Sequence, residues 1–254
     1  MGMIAAKEVP PALSGEEARQ DCLARANVYR LLAGALVEEP GADYLRALRV
    51  PENLAMLREL GVTFDADFAE PAPEILQEAL ACEYTALFVA PGGCPAVESA
   101  RLTGRFQQEP LYAVRAFYRR AGFALRPGRF AVFDDQLGVE LSFVAELLER
   151  AAAALADNDL PGYARLDKDI KRFWALHLGR WVRGYSRLLE RAAAHSFYRE
   201  IAKLLRGFAA HELDLLGVRV EDAGGDDPLK TEIPDPVDAT EPGCGGCKVA
   251  QAHV

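Results

Sequence analysis

Six long stretches between residues 16 and 216 place apolar side chains at helical intervals, and this periodicity restricts the fold more than any other feature. The predicted helices span residues 16–37, 73–89, 107–121, 134–155, 166–192 and 196–216, with shorter ones near 44–49 and 52–60. We find no alternating strand pattern, and Ala, Leu, Glu and Arg dominate over Val, Ile and Thr, which favours helix. The sequence therefore predicts an all-α protein with a single globular helical bundle domain over residues 16–220.

The last 34 residues, 221–254, have a different composition from the bundle. They hold eight acidic residues against two lysines, five glycines, four prolines and no aromatic residue. Such a segment buries too little apolar surface to offset the entropy lost on ordering, so we predict a disordered acidic tail. Residues 1–15 are predicted to be a flexible leader.

The charge and the apolar runs exclude several classes of function. The 254 residues carry a formal net charge of −9, and nucleic acid requires a basic face, so no nucleic-acid partner is expected. No apolar run is long enough to cross a membrane, and residues 1–11 do not form a secretion signal. We therefore expect a cytoplasmic protein without a membrane partner.

The search for reactive chemistry yields one weak motif. The sequence contains no zinc-protease, nucleophile-elbow, P-loop or dinucleotide-binding motif, so neither an enzyme nor a bound cofactor is expected. Cys244 and Cys247 form a C-x-x-C pair in the tail, and His253 is the one further ligand near them. The alternative hypothesis is accordingly a small thiol-redox or metal-transfer protein that uses Cys244 and Cys247.

Two segments combine aromatic, acidic and turn residues. In the first, residues 83–99, an aromatic helix end precedes a Pro/Gly loop and a Glu-Ser pair; the second, residues 133–143, opens a long helix with an acidic pair. Each also has a purely structural interpretation, in which Asp134 is a helix N-cap, Ser99 caps its neighbour and Tyr84 is core. His177, between two tryptophans, is interpreted as a core or boundary histidine.

Taken together, these segments resemble the TorD/DmsD/NarJ family of chaperones for molybdoenzymes, over about residues 18–216. The similarity rests on Tyr84-x-x-Leu87-Phe88, Pro91-Gly92, Pro95-x-x-Glu98-Ser99, residues 134–137, Glu140-Leu141-x-Phe143 and the later stretch 173–181 followed by Phe197-Tyr198. Two positions depart from the family pattern, because Phe133 replaces a proline and Gln136 replaces a histidine.

The resemblance implies a helper that binds the catalytic subunit of a molybdenum oxidoreductase of the dimethyl-sulfoxide-reductase type, often at its N-terminal twin-arginine signal peptide. It implies retention of that subunit until its molybdenum cofactor is inserted. The sequence leaves open whether the protein is a monomer or a helix-swapped dimer. Two guanidinium groups followed by an apolar segment require carboxylates beside an apolar groove. We predict that the groove is built by Tyr84, Phe88, Pro91, Glu98, Ser99, Phe133, Asp134, Asp135, Gln136, Leu137 and Glu140, with Asp135 as an exposed capping residue.

Overall fold

The computed structural model describes residues 15–125 and 132–227, and eleven α-helices lie within these ranges. They are α1 (Gly15–Leu36), α2 (Ala42–Leu48), α3 (Pro51–Glu59), α4 (Ala66–Ala69), α5 (Pro73–Tyr84), α6 (Glu98–Thr103), α7 (Glu109–Ala121), α8 (Leu137–Ala156), α9 (Leu160–Leu176), α10 (Val182–Ala192) and α11 (Ser196–Leu215). A π-helical turn, Thr85–Val89, continues α5, and a 3₁₀ turn, Leu178–Arg180, joins α9 to α10. The described residues contain no β-strand, which confirms the all-α, single-domain prediction.

The bundle is organised around α8, which packs along α1 and against α9, while α10 packs against α11. Most of the side chains of α8 are buried, as expected for a helix that neighbours surround on several faces. Gly138 in its first turn lies against the end of α1, where an added Cβ would come within 2.5 Å of the Val37 amide nitrogen. Glycine therefore allows the start of α8 to approach the end of α1 closely.

The predicted helix over residues 166–192 is wrong in one respect, because the structure breaks it at His177. The backbone there has φ −126° and ψ −97°, which is outside the helical region. A Cβ at Gly179 would lie 2.6 Å from the Trp174 carbonyl oxygen, so glycine permits this tight reversal. Apolar side chains continue at helical spacing on both sides of the break, so periodicity does not reveal it. The short helices α4 and α6 were also not predicted.

The boundary of the predicted tail needs a correction. Residues 221–227 are described, and they contact α10 through several hydrogen bonds and ion pairs. The remainder of the predicted tail, residues 228–254 with Cys244 and Cys247, lies outside the described residues, as do residues 1–14 of the predicted leader.

Candidate functional site

The two segments singled out in the sequence lie side by side in the structure. Val97 and Gln136 form an isolated antiparallel bridge, and the Leu137 amide donates to the Ala96 carbonyl at 2.8 Å. The Glu98 amide donates to the Asp135 carbonyl at 2.9 Å. Helices α6 and α8 consequently start next to each other.

Both segments also contact the carbonyl end of α1. The side-chain amide of Gln136 donates to the Leu36 carbonyl, and its oxygen accepts from the Val139 amide at 3.1 Å. Gln136 is thus the N-cap of α8, and the interpretation of Asp134 as that cap is wrong. From the other segment, the Tyr84 hydroxyl donates to the Val37 carbonyl at 3.2 Å. The end of α1 is therefore the point where the predicted site residues converge.

Three of the carboxylates of these segments point into the protein. Glu98, Asp135 and Glu140 are completely buried, and His177 is 3% exposed with its Nδ1 2.8 Å from Glu98 Oε2. One oxygen of Asp135 accepts from the Ser99 amide at 2.9 Å and so caps α6. The expectation of an exposed Asp135 is wrong, because the adjoining backbones of the two segments turn its side chain inward. We call Glu98, Asp135, Glu140 and His177 the buried carboxylate cluster.

The electrostatics of the buried carboxylate cluster favour the protonated form of Glu140. Its pKa is raised well above the usual value, first by burial and then by the negative charges of Glu98 and Asp135. The pKa of Tyr118 is also raised well above its usual value, by burial and then by neighbouring carboxylates that include Glu140. Within the described residues, Glu98 Oε1, Asp135 Oδ1, both Glu140 oxygens and Trp181 Nε1 have no hydrogen-bond partner.

Most of the predicted site residues are buried and hold the segments in place. The buried members are Tyr84, Glu98, Ser99, Asp135, Gln136, Leu137 and Glu140. The Ser99 hydroxyl accepts from the Gln108 amide at the start of α7, 3.3 Å away, rather than capping its own helix. The ring of Tyr84 packs edge-on against Phe88, with centroids 4.8 Å apart.

The remaining four predicted residues reach solvent at two separate places. Phe88 is half-buried and Pro91 is exposed, next to the end of the π turn. On the second segment, half-buried Phe133 stacks on Phe106 with ring centroids 5.4 Å apart. Half-buried Asp134 forms an ion pair with Arg115, whose Nε lies 2.5 Å from Oδ2.

An exposed surface near Phe88 and Pro91 combines apolar side chains with carboxylates. Val89 is 68% exposed, and Glu38 and Glu39 lie half-buried just after α1. The Tyr84 hydroxyl donates to the carbonyl of Val37, the residue directly before Glu38, so the two glutamates follow this contact in the chain. Burial, and then the charges of these two glutamates, raise the pKa of Tyr84 to about 12. We call Glu38, Glu39, Phe88, Val89 and Pro91 the acidic–apolar surface. Sequence reasoning missed its two glutamates, although they stand together directly before Pro40.

A cleft of about 280 Å³ adjoins this surface between the end of α5 and the end of α10. It is lined by Glu83, Ala86, Leu87, Gly92, Gly93, Cys94, Leu188, Ala192 and Ala194. The Glu83 carboxylate at the cleft accepts from the Ala194 and His195 amides at 2.7 and 2.9 Å, so it joins the two helix ends. A Cβ at Gly93 would lie 2.5 Å from the Leu87 carbonyl oxygen, so glycine lets the loop fold back onto the π turn.

The described residues contain no group of three or more His, Cys, Asp or Glu side chains arranged to hold a metal ion. In the same part of the chain, no helix has both the length and the hydropathy needed to span a bilayer.

The fold and the site define a class of protein, an all-α bundle in which a buried carboxylate cluster joins two loop segments beside an exposed acidic and apolar surface. The family model of the nitrate reductase delta subunit matches residues 51–186, which is more than half of the chain and includes both segments. The chain therefore belongs to this family of NarJ/TorD-type chaperones for molybdoenzyme maturation. No curated protein matches the sequence.

Proposed function

We propose that this protein is a cytoplasmic chaperone that binds the catalytic subunit of a dimethyl-sulfoxide-reductase-type molybdoenzyme before its cofactor is inserted. In this proposal it recognises the N-terminal twin-arginine signal peptide of that subunit and delays its export until insertion is complete. The observation that carries the proposal is the acidic–apolar surface of a chain in the molybdoenzyme-chaperone family. Tyr84 links its two parts, because its hydroxyl donates to the carbonyl before Glu38 and its ring packs on Phe88, which precedes the exposed Val89.

The chemistry of the acidic–apolar surface suits such a peptide. Guanidinium groups form strong, charge-assisted hydrogen bonds with carboxylates, and Glu38 and Glu39 supply two of these next to each other. Val89 and Pro91 present apolar area that solvent reaches, and the adjoining cleft has room for an apolar side chain. The net charge of −9 adds a long-range attraction for a basic peptide that salt screens.

Asp134 and Phe133 form a less suitable site for the two arginines. Asp134 supplies a single half-buried carboxylate for two arginines, and this carboxylate forms an ion pair with Arg115. Phe133 still offers half-exposed apolar area, stacked on Phe106, to another part of the client. We assign the arginine pair to Glu38 and Glu39 because these two carboxylates adjoin in sequence, directly after the Val37 carbonyl that Tyr84 contacts beside Phe88. We assign to the buried carboxylate cluster the task of holding the two segments together.

Calorimetric titration with a synthetic peptide of two consecutive arginines followed by an apolar segment tests the proposal. We expect saturable binding that weakens strongly when both arginines are replaced by alanine or the apolar segment is deleted. The double variant Glu38→Gln/Glu39→Gln should lose most of the affinity, and Val89→Ser part of it. Binding that is equal for all peptides, or unaffected by these substitutions, would contradict the proposal.

A matched control uses acidic residues of equal charge elsewhere. Glu16 and Asp43 lie on α1 and α2, and each is exposed and pairs with an arginine of its own helix. The variant Glu16→Gln/Asp43→Asn changes the net charge by the same amount as the test variant. It should retain the peptide affinity, so a loss in both variants would indicate general charge attraction rather than a site.

A further inference from the structure

A short acidic segment lies across α10 on the side chains of several arginines. We call residues 221–227 the strap. Arg187 Nε lies 3.2 Å and Arg191 Nη1 3.0 Å from the same Asp226 oxygen, and Arg191 also donates to the Asp226 carbonyl. Closer to the start of α10, the Gly184 amide donates to the Asp222 carboxylate. The strap therefore interacts with the helix through both carboxylates and backbone oxygens.

The arginines beneath the strap form a row. Arg183, Arg187 and Arg191 follow one another at intervals of four residues, which places them on one face of α10. Arg183 donates to the Val220 carbonyl at 2.7 Å, and its Nε lies 4.0 Å from Asp222 Oδ2. We call these three residues together with Arg101 of α6 the arginine row.

Arg101 extends the arginine row into the protein interior. It is 7% exposed, and its Nη2 donates to the carbonyls of Gly224 and Gly225 at 2.5 and 3.1 Å. Within the described residues its Nε and Nη1 have no hydrogen-bond partner. Burying guanidinium donors without acceptors costs free energy. Additional oxygen acceptors at Arg101 would therefore be stabilising.

The strap fits the row closely. A Cβ at Gly184 would lie 1.9 Å from the Gly225 carbonyl oxygen, and one at Gly224 would lie 2.9 Å from Cβ of Trp181. Both glycines are thus required for the backbone of the strap to reach Arg101. The strap turns at residues 223–224 and Gly225 has a positive φ of 58°, so a turn-forming peptide with small residues between two acidic side chains is the kind of ligand that these contacts accept.

We propose that the arginine row is a binding site for an acidic peptide segment of a partner protein and that the strap occupies this site within the same chain. The bound segment would place two carboxylates at the positions of Asp222 and Asp226 and two backbone carbonyls on Arg101. The strap then acts as a competing internal ligand, so a partner gains access when its segment displaces residues 221–227. This site is separate from the acidic–apolar surface and does not depend on the function proposed for that surface.

The test measures fluorescence anisotropy of a labelled synthetic peptide with the sequence of residues 219–227, titrated with the full-length chain. The variant Asp222→Asn/Asp226→Asn weakens the strap and keeps the arginine row. In the unaltered chain the strap competes with the peptide at a high effective concentration. Because the variant weakens this competition, we expect it to bind the peptide about ten-fold more tightly than the unaltered chain. Adding Arg187→Glu/Arg191→Glu to this variant should abolish binding, and high salt should weaken it.

Two further variants make the outcome decisive. Glu221→Gln/Asp227→Asn removes the same charge from the strap, but these side chains make no hydrogen bond or ion pair with the described residues, so affinity should stay at the level of the unaltered chain. The single variant Asp226→Asn, at a side chain that is 39% exposed, replaces the double variant if the latter loses its helical circular dichroism. Equal affinity of the unaltered chain and of the variants that lack Asp226, or binding that survives the arginine substitutions, would overturn the proposal.

Discussion

The buried carboxylate of Glu212 and the buried carboxylate cluster have opposite surroundings. Glu212 on α11 is completely buried, and Arg25 contacts both of its oxygens at 2.8 Å while the Tyr29 hydroxyl donates to one of them at 2.7 Å. Trp174 in turn donates to the Tyr29 hydroxyl at 2.7 Å. In the buried carboxylate cluster, by contrast, three acids and one histidine lie together, and five nearby polar atoms have no partner among the described residues.

The difference shows how the same residue type serves two purposes. The Glu212 network is a compensated ion pair whose loss leaves a buried charge, so it supports stability. The buried carboxylate cluster brings together acids that repel one another, and burial favours the protonated form of Glu140. Its benefit is geometric, because Asp135 caps α6 and Glu98 reaches His177 at the break between α9 and α10. Through these contacts, residues 83–99 and 133–143 are joined to the helix break at His177, 79 residues after Glu98.

The largest effect is expected when the compensated network is broken. Arg25→Ala leaves the Glu212 carboxylate buried without its cation and should lower the free energy of unfolding by about 3–5 kcal/mol. Urea unfolding followed by circular dichroism measures the change. Arg30→Ala on the same helix, which removes exposed pairs with Glu146 and Glu149, should cost less than about 1 kcal/mol. Similar losses in both variants would mean that the buried pair with Glu212 stabilises the fold no more than an exposed ion pair does.

A smaller loss is expected at the cap within the buried carboxylate cluster. Asp135→Ala leaves the buried Ser99 amide without its acceptor and should destabilise the protein by about 1–3 kcal/mol. Asp135→Asn keeps an acceptor oxygen and removes one of the repelling charges, so it should cost less. If alanine and asparagine give equal losses in urea unfolding, the capping role assigned to Asp135 is incorrect.

The contribution of Glu140 to the stability of the fold is expected to depend on pH. Because the pKa of Glu140 is raised in the folded state, its contribution to stability is complete below its ordinary value of 4.5 and is lost as the pH rises through the raised value. Glu140→Gln keeps a neutral side chain at every pH, so the variant should gain stability relative to the unaltered chain as the pH rises above 4.5. Thermal unfolding across this range measures the gain. A stability difference that does not change with pH would contradict the protonated state of Glu140.

The smallest effect is expected at Asp134. Its ion pair with half-exposed Arg115 is screened by solvent, so Asp134→Asn should cost less than about 1 kcal/mol. The same variant should retain the affinity for the twin-arginine peptide, because Glu38 and Glu39 are the proposed partners of the two arginines. A large loss of peptide binding on this substitution would move the arginine site from Glu38 and Glu39 to Asp134.

The sequence predicted the long helices because their apolar periodicity is a local signal. It predicted α1 and α11 to within one residue at each end. It did not predict the break at His177, since the stripe continues across it, nor the π turn that ends α5. Asp134 carried a stronger capping preference than Gln136, yet the bond from Gln136 to the Leu36 carbonyl, 100 residues away, selected the glutamine.

The candidate site was harder to predict than the fold for the same reason. The sequence brought the two segments together through their resemblance to a family, but it does not show which carboxylates face inward. The inward direction of Glu98 depends on His177, 79 residues further along the chain, and that of Asp135 on the start of α6. The place of Glu38 and Glu39 in the site depends on the contact of Tyr84 with the end of α1, which joins residues 47 positions apart.

Hydrogen–deuterium exchange of the full-length chain, with and without the twin-arginine peptide, tests most directly where the client binds. We predict that the peptide slows exchange in residues 37–41 and 85–93, around the acidic–apolar surface, and leaves residues 104–115 and 133–135 unchanged. Slower exchange confined to residues 104–115 and 133–135, with none around Glu38, Glu39 and Val89, would contradict the account.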